Sequence, residues 1–536
     1  MPEELLSPIH GGYHRRLNLF VLLQALSAMS SSPTFSADEL ATALRVLEAI
    51  VADRGALATC DSEDRARLLR LSGEVAMPDP AAKLRLRRQM RQRDLNERRD
   101  ADEALRAGTG IRALRAKPVF LTPPMPPLLT SRDVPVVDEA AVEQAAAATQ
   151  ESLHKARTCY TCKAEYTTLH GFYDQLCPSC GDLNFRKRAP AHDLRGRVAI
   201  ITGARVKIGY HAAILLLRNG CRVVVTTRFP RDCAARYARE PDFANWRERL
   251  CIYGLDLRHT PSVEAFARHM GDTLTHLDFL IQNACQTVRR PPEFYAHMIA
   301  AEEAGHALLP AAEAALVADY EALRRSSGSA GLVAPAQLSQ IAPEDPQALD
   351  DPGSALVELF PRGLLDADLQ QVDRRDHNSW RLSLDEVPTR ELLEVLLVNA
   401  VGPFVLSGRL KSLMLRTPSR DKHIVQVSAM EGQFNRNKTA KHPHTNMAKA
   451  ALNMLTRTSA QEYVRDGIHM NSVDTGWITD EDPAHLAQQK IDMHRFSPPL
   501  DVVDGAARIV DPIFAGLASG EHAWGQFFKD YQPTYW

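Results

Sequence analysis

Four cysteines stand in two Cys-x-x-Cys pairs, Cys159 with Cys162 and Cys177 with Cys180, and 14 residues separate the pairs. Each pair suits a tight knuckle presenting two thiolates, and two knuckles complete a tetrahedral site for one ion. Four cysteine ligands leave no open position, so the spacing predicts a structural zinc; a pair of redox dithiols is the alternative. Pro178 and Gly181 suit the turns, and the nearby His154 and His170 are not needed as ligands. A second pattern begins at Arg197. The apolar run Val198–Ile201 ends in Thr202-Gly203, then come Arg205, Val206, Lys207, Ile208 and Gly209, and an apolar helix runs through Leu217 to Asn219-Gly220. The run Cys221–Thr227 closes a strand–helix–strand unit. A turn of little side-chain bulk there lets backbone N–H groups and a helix N-terminus meet a pyrophosphate.

These patterns sit in a chain of 536 residues with 45% hydrophobic and 24% charged residues. At ~100–200 residues per domain the length suggests roughly three domains. The composition excludes general disorder, a collagen-like fibre and a coiled-coil rod. A formal net charge of −2 gives no global reason to expect nucleic acid or an anionic membrane as partner. Nine cysteines are too few for a disulfide-stapled secreted scaffold. The longest apolar stretch, Leu17–Met29, is broken by Asn18 and Gln24 and falls short of the ~20 residues that span a bilayer. It follows His14-Arg15-Arg16 like a signal peptide, but Glu3 and Glu4 oppose that, and a buried amphipathic helix is the expectation. With the thiol cluster, this points to a reducing compartment and a cytoplasmic protein.

Residues 1–117 read as helical. Asp38-Glu39-Leu40 after Ser36 marks a helix start, and Leu40, Leu44, Leu47, Ile50 and Val51 share one face. The arginine-dense run from Lys83 to Arg99 reads as the solvated face of a long helix rather than a nucleic-acid patch. Residues 118–156 form a linker, opened by Pro118, Pro123, Pro124, Pro126, Pro127 and Pro135 and followed by an Ala-rich helix from about Val137 to Lys155. The cysteine motif occupies 157–189. From 190 to 536 short β-branched runs alternate with helical segments, the signature of an α/β fold: a Rossmann-type doubly wound parallel sheet with crossover helices.

At this point the chain resembles the short-chain dehydrogenase/reductase family over roughly 190–530. The family's Thr-Gly-x-x-x-Gly-x-Gly loop matches Thr202, Gly203 and Gly209, with Lys207 in place of the middle glycine. Leu255-Asp256-Leu257 resembles the acidic residue that contacts adenine. Gln282-Asn283-Ala284-Cys285 resembles the Asn-Asn-Ala-Gly motif that stabilises the central sheet. By the same resemblance Asn399 holds a proton-relay water, Ser428 and Lys449 are catalytic, and Asn471–Thr479, with Thr475 and Gly476, lines cofactor and substrate. The implied activity is hydride transfer between a nicotinamide cofactor and a carbonyl or alcohol of a small molecule. The end of the second strand reads Thr226-Thr227-Arg228 with no carboxylate, and Arg205 is a second cation, which favours NADP(H) and leaves NAD(H) possible.

The family places a tyrosine four residues before the lysine, and here that position is Thr445. A threonine hydroxyl is a far weaker acid than a phenol of pKa ~10. His444 or His442 could replace it; or Ser428 with Lys449 could polarise a substrate that needs no donor; or the domain is a catalytically weak nucleotide-binding scaffold acting through protein or nucleic-acid contacts. Asn283 and Asn399 are 116 positions apart, so an insertion spans about 287–385. It emerges where ligands bind and reads as a lid, a substrate-recognition element or a subunit contact. Its Glu302, Glu303 and His306 read as an exposed charged helix rather than a metal site. The resemblance also implies a homo-oligomer, paired through the helices of Asn399 and Lys449, while the charge balance gives no reason to expect a membrane or nucleic acid as partner.

Overall fold

The computed structural model describes residues 35–123, 152–303, 309–326, 335–338, 358–361, 363–479, 481–494 and 497–536. Leu17–Met29, most of the proline run, the body of the Ala-rich helix and His306 lie outside them. The chain divides into two units, 1–96 and 97–536.

In the first unit, helix α1 (Ala37–Ala52) starts where expected. Ser36 accepts from Glu39 N and Glu39 bonds back to Ser36 N, a capping box that satisfies two orphan donors. Asp61 caps α2 (Ser62–Ala76). The arginine run lies in one 28-residue helix, α3 (Pro80–Ala107), whose arginines between 85 and 99 are exposed. The division between the units falls within this helix, so 97–117 go with the second unit.

The second unit is built on two sheets. A hairpin of β1 (Ser152–Thr158) and β2 (Glu165–Thr168) opens it. Ser152–Lys155, expected to end the Ala-rich helix, therefore lie in a strand, because they pair across the cysteine knuckle. Helix α4 (Pro178–Lys187) begins directly after Cys177. The main sheet contains β3 (Val198–Thr202), β4 (Arg222–Thr227), β5 (Leu250–Gly254), β6 (Phe279–Gln282), β7 (Lys422–Ser428), β8 (Ile468–Asp474), β9 (Phe527–Lys529) and β10 (Gln532–Thr534), in the order 10-9-8-7-6-3-4-5. All neighbours are parallel except β9 with β10. The order reverses between β3 and β6, and that switch point opens a crevice at the carboxyl ends of the strands.

Two apolar cores flank the sheet. One face packs α5 (Lys207–Arg218) and α12 (Val502–Ser519), with Leu216, Leu217, Ile509 and Ile513 fully buried. The other packs α7 (Thr260–Thr273), the helical run begun by α10 (Thr389–Leu396) and α11 (Pro443–Arg465). The α10 run continues through a π-type turn at Leu397–Val401 to Arg409. At 21 residues and mean hydropathy 1.5 it is long and apolar enough to cross a bilayer, but here Val395, Asn399 and Leu406 are buried against this fold.

The insertion does not simply hang over the substrate end. Its helices α8 (Pro292–Glu303) and α9 (Ala311–Ser326) pack on α6 (Pro230–Ala238), and α9 also packs on β5, beside the first half of the sheet. Tyr320 sits so close to Gly254 that a Cβ there would lie 2.3 Å from its ring.

Candidate functional site

The β3–α5 turn is drawn tight by the side chains of Asn283 and Thr202. Asn283 donates to the carbonyls of Gly203 (2.9 Å) and Thr202 (3.2 Å), and Thr202 Oγ1 accepts from Ala284 N (3.1 Å). A Cβ on Gly209 would lie 2.2 Å from Asn283 Nδ2, so only glycine fits this helix start. Lys207 keeps the left-handed backbone (φ +56°) of the glycine it replaces, a conformation that costs a residue with a Cβ about 1–2 kcal/mol. Burial alone would lower the pKa of its ammonium. The carboxylates of Glu481, Asp368 and Asp366 outweigh that and raise it.

Those last two acids belong to the insertion, and its turn is clamped onto the loop. Arg236 donates to the carbonyls of Asp368 (2.9 Å) and Leu369 (2.8 Å), and Arg205 reaches Gln370 Oε1 at 3.3 Å. Arg205, expected as a second phosphate cation, is buried and paired with Asp232 at 2.6 Å, so its charge is already met.

A cavity of about 1030 Å³ runs from this loop along the sheet edge. At its β4 end Arg228 lies over the rings of Phe229 and Tyr295 and donates to Tyr295 Oη at 2.9 Å. Burial would raise the Tyr295 phenol, but Arg228, with Arg290 and Arg258 behind it, brings its pKa below the ordinary value, which marks this end as electropositive. Asp256 is buried beneath. Burial disfavours its charge, yet Arg258, at 2.5 Å, holds its carboxyl below the usual range.

At the far end Ser428 closes β7, and Thr445 and Lys449 come from the first turns of α11. All three line the cavity. Ser428 Oγ and Thr445 Oγ1 are buried and have no partner among the described residues, whereas Lys449 Nζ donates to Val427 O at 2.7 Å. Buried polar atoms without partners are costly unless a ligand completes them. Thr475, Gly476, Ile208, Gly203 and Asn283 also line the cavity.

Two expected participants are placed elsewhere. Both functions of the Asn399 amide engage the backbone of Gln286, accepting from its N–H (2.8 Å) and donating to its carbonyl (3.1 Å), so the side chain pins a loop rather than a water. His444 does not line the cavity. It points to Glu391 of α10, at 3.8 Å, and burial lowers its pKa to about 4. It does not replace the phenol, because one step along a helix turns a side chain by about 100°. His442 stacks on Trp380 of the insertion with ring centroids 4.0 Å apart. Glu302 is likewise occupied: it accepts from Arg231 N (2.9 Å) and Asp232 N (3.1 Å), capping α6.

The cysteine segment reaches this cavity too. The four Sγ atoms lie within 4.8 Å of one another. The segment is anchored to α12 by Arg188, which meets Asp501 and Asp504 at 2.8 Å, and by Tyr173, which donates to Asp504 at 2.5 Å. Tyr160, Thr161 and Lys163 then face the cavity, as do Glu481 and Tyr295. Sequence reasoning missed these residues. Only the position of Tyr160 between two ligand cysteines hinted at its fixed placement.

A family model described as short chain dehydrogenase matches residues 197–301, and one described as Enoyl-(Acyl carrier protein) reductase matches residues 378–507. Uncharacterized protein R665 of Acanthamoeba polyphaga mimivirus is 31% identical over 391 residues, 70% of this chain and 74% of that protein. WW domain-containing oxidoreductase of Drosophila melanogaster is 38% identical over 95 residues, 17% of this chain and 23% of its own length. Among solved structures, the Pseudomonas aeruginosa RhlG/NADP active-site complex is 18% identical, with a TM-score of 0.38 over 63% of this chain and 96% of that one. Both family models fall on one doubly wound sheet, each running into one end of the insertion, and the chain belongs to the short-chain dehydrogenase/reductase family of nucleotide-dependent oxidoreductases as a divergent member.

Proposed function

We propose that the protein transfers hydride between NADP(H) and a carbonyl or alcohol group of a small molecule. The observation that carries this is one cavity whose ends have different chemistry. Arg228 and Tyr295 make an electropositive pocket suited to a 2′-phosphate, and Ser428 and Thr445 offer partnerless hydroxyls beside Lys449 at the other end. A dinucleotide would lie with its pyrophosphate at the N-terminus of α5 and its adenosine toward Asp256, and the nicotinamide supplies the hydride chemistry. Ser428 would donate to the reacting oxygen. Lys449 would hold the ribose once its ammonium leaves Val427 O. Thr445 stands where the family has a tyrosine, so proton supply falls to water or to another side chain of the cavity.

A catalytically weak nucleotide-binding scaffold is the second reading, favoured by Thr445 and by the orientation of His444 away from the cavity. Turnover of NADPH over a panel of carbonyl compounds decides between them. Ser428→Ala and Lys449→Ala should lower kcat by about 10²–10⁴-fold. Absence of turnover in the wild type, with activity appearing in Thr445→Tyr, would favour the scaffold.

The cysteine cluster fits a structural zinc. Tetrahedral Zn–S bonds of about 2.3 Å set the sulfurs about 3.8 Å apart, and Cys162 Sγ lies 3.7 Å from Cys177 Sγ. A homo-oligomer is supported by the large apolar side chains exposed on the two helices named for pairing: Leu393, Val401 and Phe404 on the α10 run, Met447 and Met454 on α11. A four-thiolate zinc site suits a reducing, cytoplasmic setting.

A further inference from the structure

The knuckle that carries the cysteine ligands also carries a phenol, and the phenol faces the cavity. Tyr160, Thr161 and Lys163 lie between or beside Cys159 and Cys162 and share the cavity with Ser428 and Lys449. The knuckle is rigid by construction. Cys159 N donates to Ala164 O (2.8 Å), Tyr160 N donates to Gln175 O (2.9 Å), and Lys163, in the left-handed region at φ +65°, returns its ammonium to Tyr160 O.

The Tyr160 hydroxyl is fixed from the opposite side. Its oxygen accepts from Trp477 N at 3.0 Å, in the segment that the family uses to line cofactor and substrate. Gly476 permits this approach: its φ is +81°, and a Cβ would lie 3.3 Å from the Tyr160 oxygen and 2.7 Å from Leu500. A phenol that accepts one bond keeps its proton for another, and no acceptor for that proton is found among the described residues. Thr161 Oγ1, next to it, is buried with no partner among the described residues. Lys163, Trp477 and the ion pair of Lys529 with Asp474, at 2.5 Å, line the same cavity. Two hydroxyls and an ion pair on this wall suit an oxygen-bearing ligand.

We propose that the four-cysteine knuckle is the substrate-side wall of the cavity and that Tyr160 donates a hydrogen bond to an oxygen of the carbonyl or alcohol substrate. This rests on the redox reading for the nature of the substrate, though not for the existence of the binding wall. It gives the cysteine segment a role in recognition beyond capping the domain, and it places a phenol in a cavity whose usual tyrosine position is threonine.

The test is equilibrium binding, independent of turnover. 9,10-Phenanthrenequinone, a planar dicarbonyl, is titrated into the full chain saturated with NADP+, followed by tryptophan fluorescence. Tyr160→Phe, which keeps the ring and removes the hydroxyl, should weaken the quinone Kd about five- to tenfold, the effect of one hydrogen bond. NADP+ affinity should stay within about twofold of wild type, while the melting temperature falls slightly because Trp477 N loses its acceptor. Equal quinone affinity in the two chains, or no quinone binding by the wild type, would overturn the proposal. Weakened binding in Tyr160→Phe with no NADPH oxidation by the wild type would support Tyr160 and count against the redox reading. Unchanged binding with turnover present would do the reverse.

Discussion

At the scale of single residues, position 207 shows how a loop can keep its backbone while changing its charge. Lys207 holds glycine's left-handed conformation and brings an ammonium among Glu481, Asp366 and Asp368. At the proposed cofactor site that cation would let two diphosphate charges approach three carboxylates. Lys207→Ala should therefore weaken NADPH binding by at least about tenfold, measured by fluorescence titration, because the uncompensated acids then face the phosphates. Unchanged affinity would mean that the acids do not reach the phosphate site. The sequence disclosed Lys207, Ser428, Thr445 and Lys449 through their places in ordered motifs. It did not disclose Tyr160, Tyr295 or Glu481: Tyr160 and Tyr295 reach the cavity from the cysteine knuckle and the insertion, and Glu481 falls two residues beyond the Asn471–Thr479 motif. His444 was legible as a residue next to the motif, but not its direction, which the helix phase turns toward Glu391.

At the scale of elements, the buried parallel strands were readable because both faces of the sheet are covered and β3 and β4 run as near-continuous apolar segments. The boundary at Ser152 was misread because alanine-rich composition continues toward a strand whose pairing is set by the cysteine knuckle. The insertion was legible as extra length, but its placement was not. Helices α8 and α9 cover the β4–β5 side, and the 366–371 turn is clamped by Arg236 and Arg205. The knuckle itself makes a sharp prediction. Elemental analysis of freshly purified, reduced protein should give about one zinc per chain, and Cys162→Ser should lower both the zinc content and the melting temperature, since a metal that binds only the folded segment stabilises it. A zinc content near zero would remove the structural metal.

At the scale of the molecule, the roughly three domains suggested by length become a small helical unit and a large α/β unit into which the cysteine segment is fused. The large unit buries a histidine that shapes its acid stability. His211 lies on α5, against Phe120 and Tyr210, and burial lowers its pKa to about 4. The unfolded chain takes up this proton near pH 6.5, whereas the folded chain does so only near pH 4. The contribution is thus fully present above about pH 6.5 and is lost as pH falls toward 4, by roughly 3 kcal/mol. His211→Phe should flatten that part of the profile of urea midpoint against pH; an unchanged slope would contradict the neutral, buried imidazole.

In the proposed function the sheet-edge cavity is an NADP(H) site with Arg228 at its 2′-phosphate end. Direct titration of the full chain with NADPH and with NADH tests it, in wild type and in Arg228→Glu. Wild type should bind NADPH at least about tenfold tighter than NADH, and Arg228→Glu should abolish or reverse that preference. Equal affinities in the wild type, or no binding of either nucleotide, would contradict it.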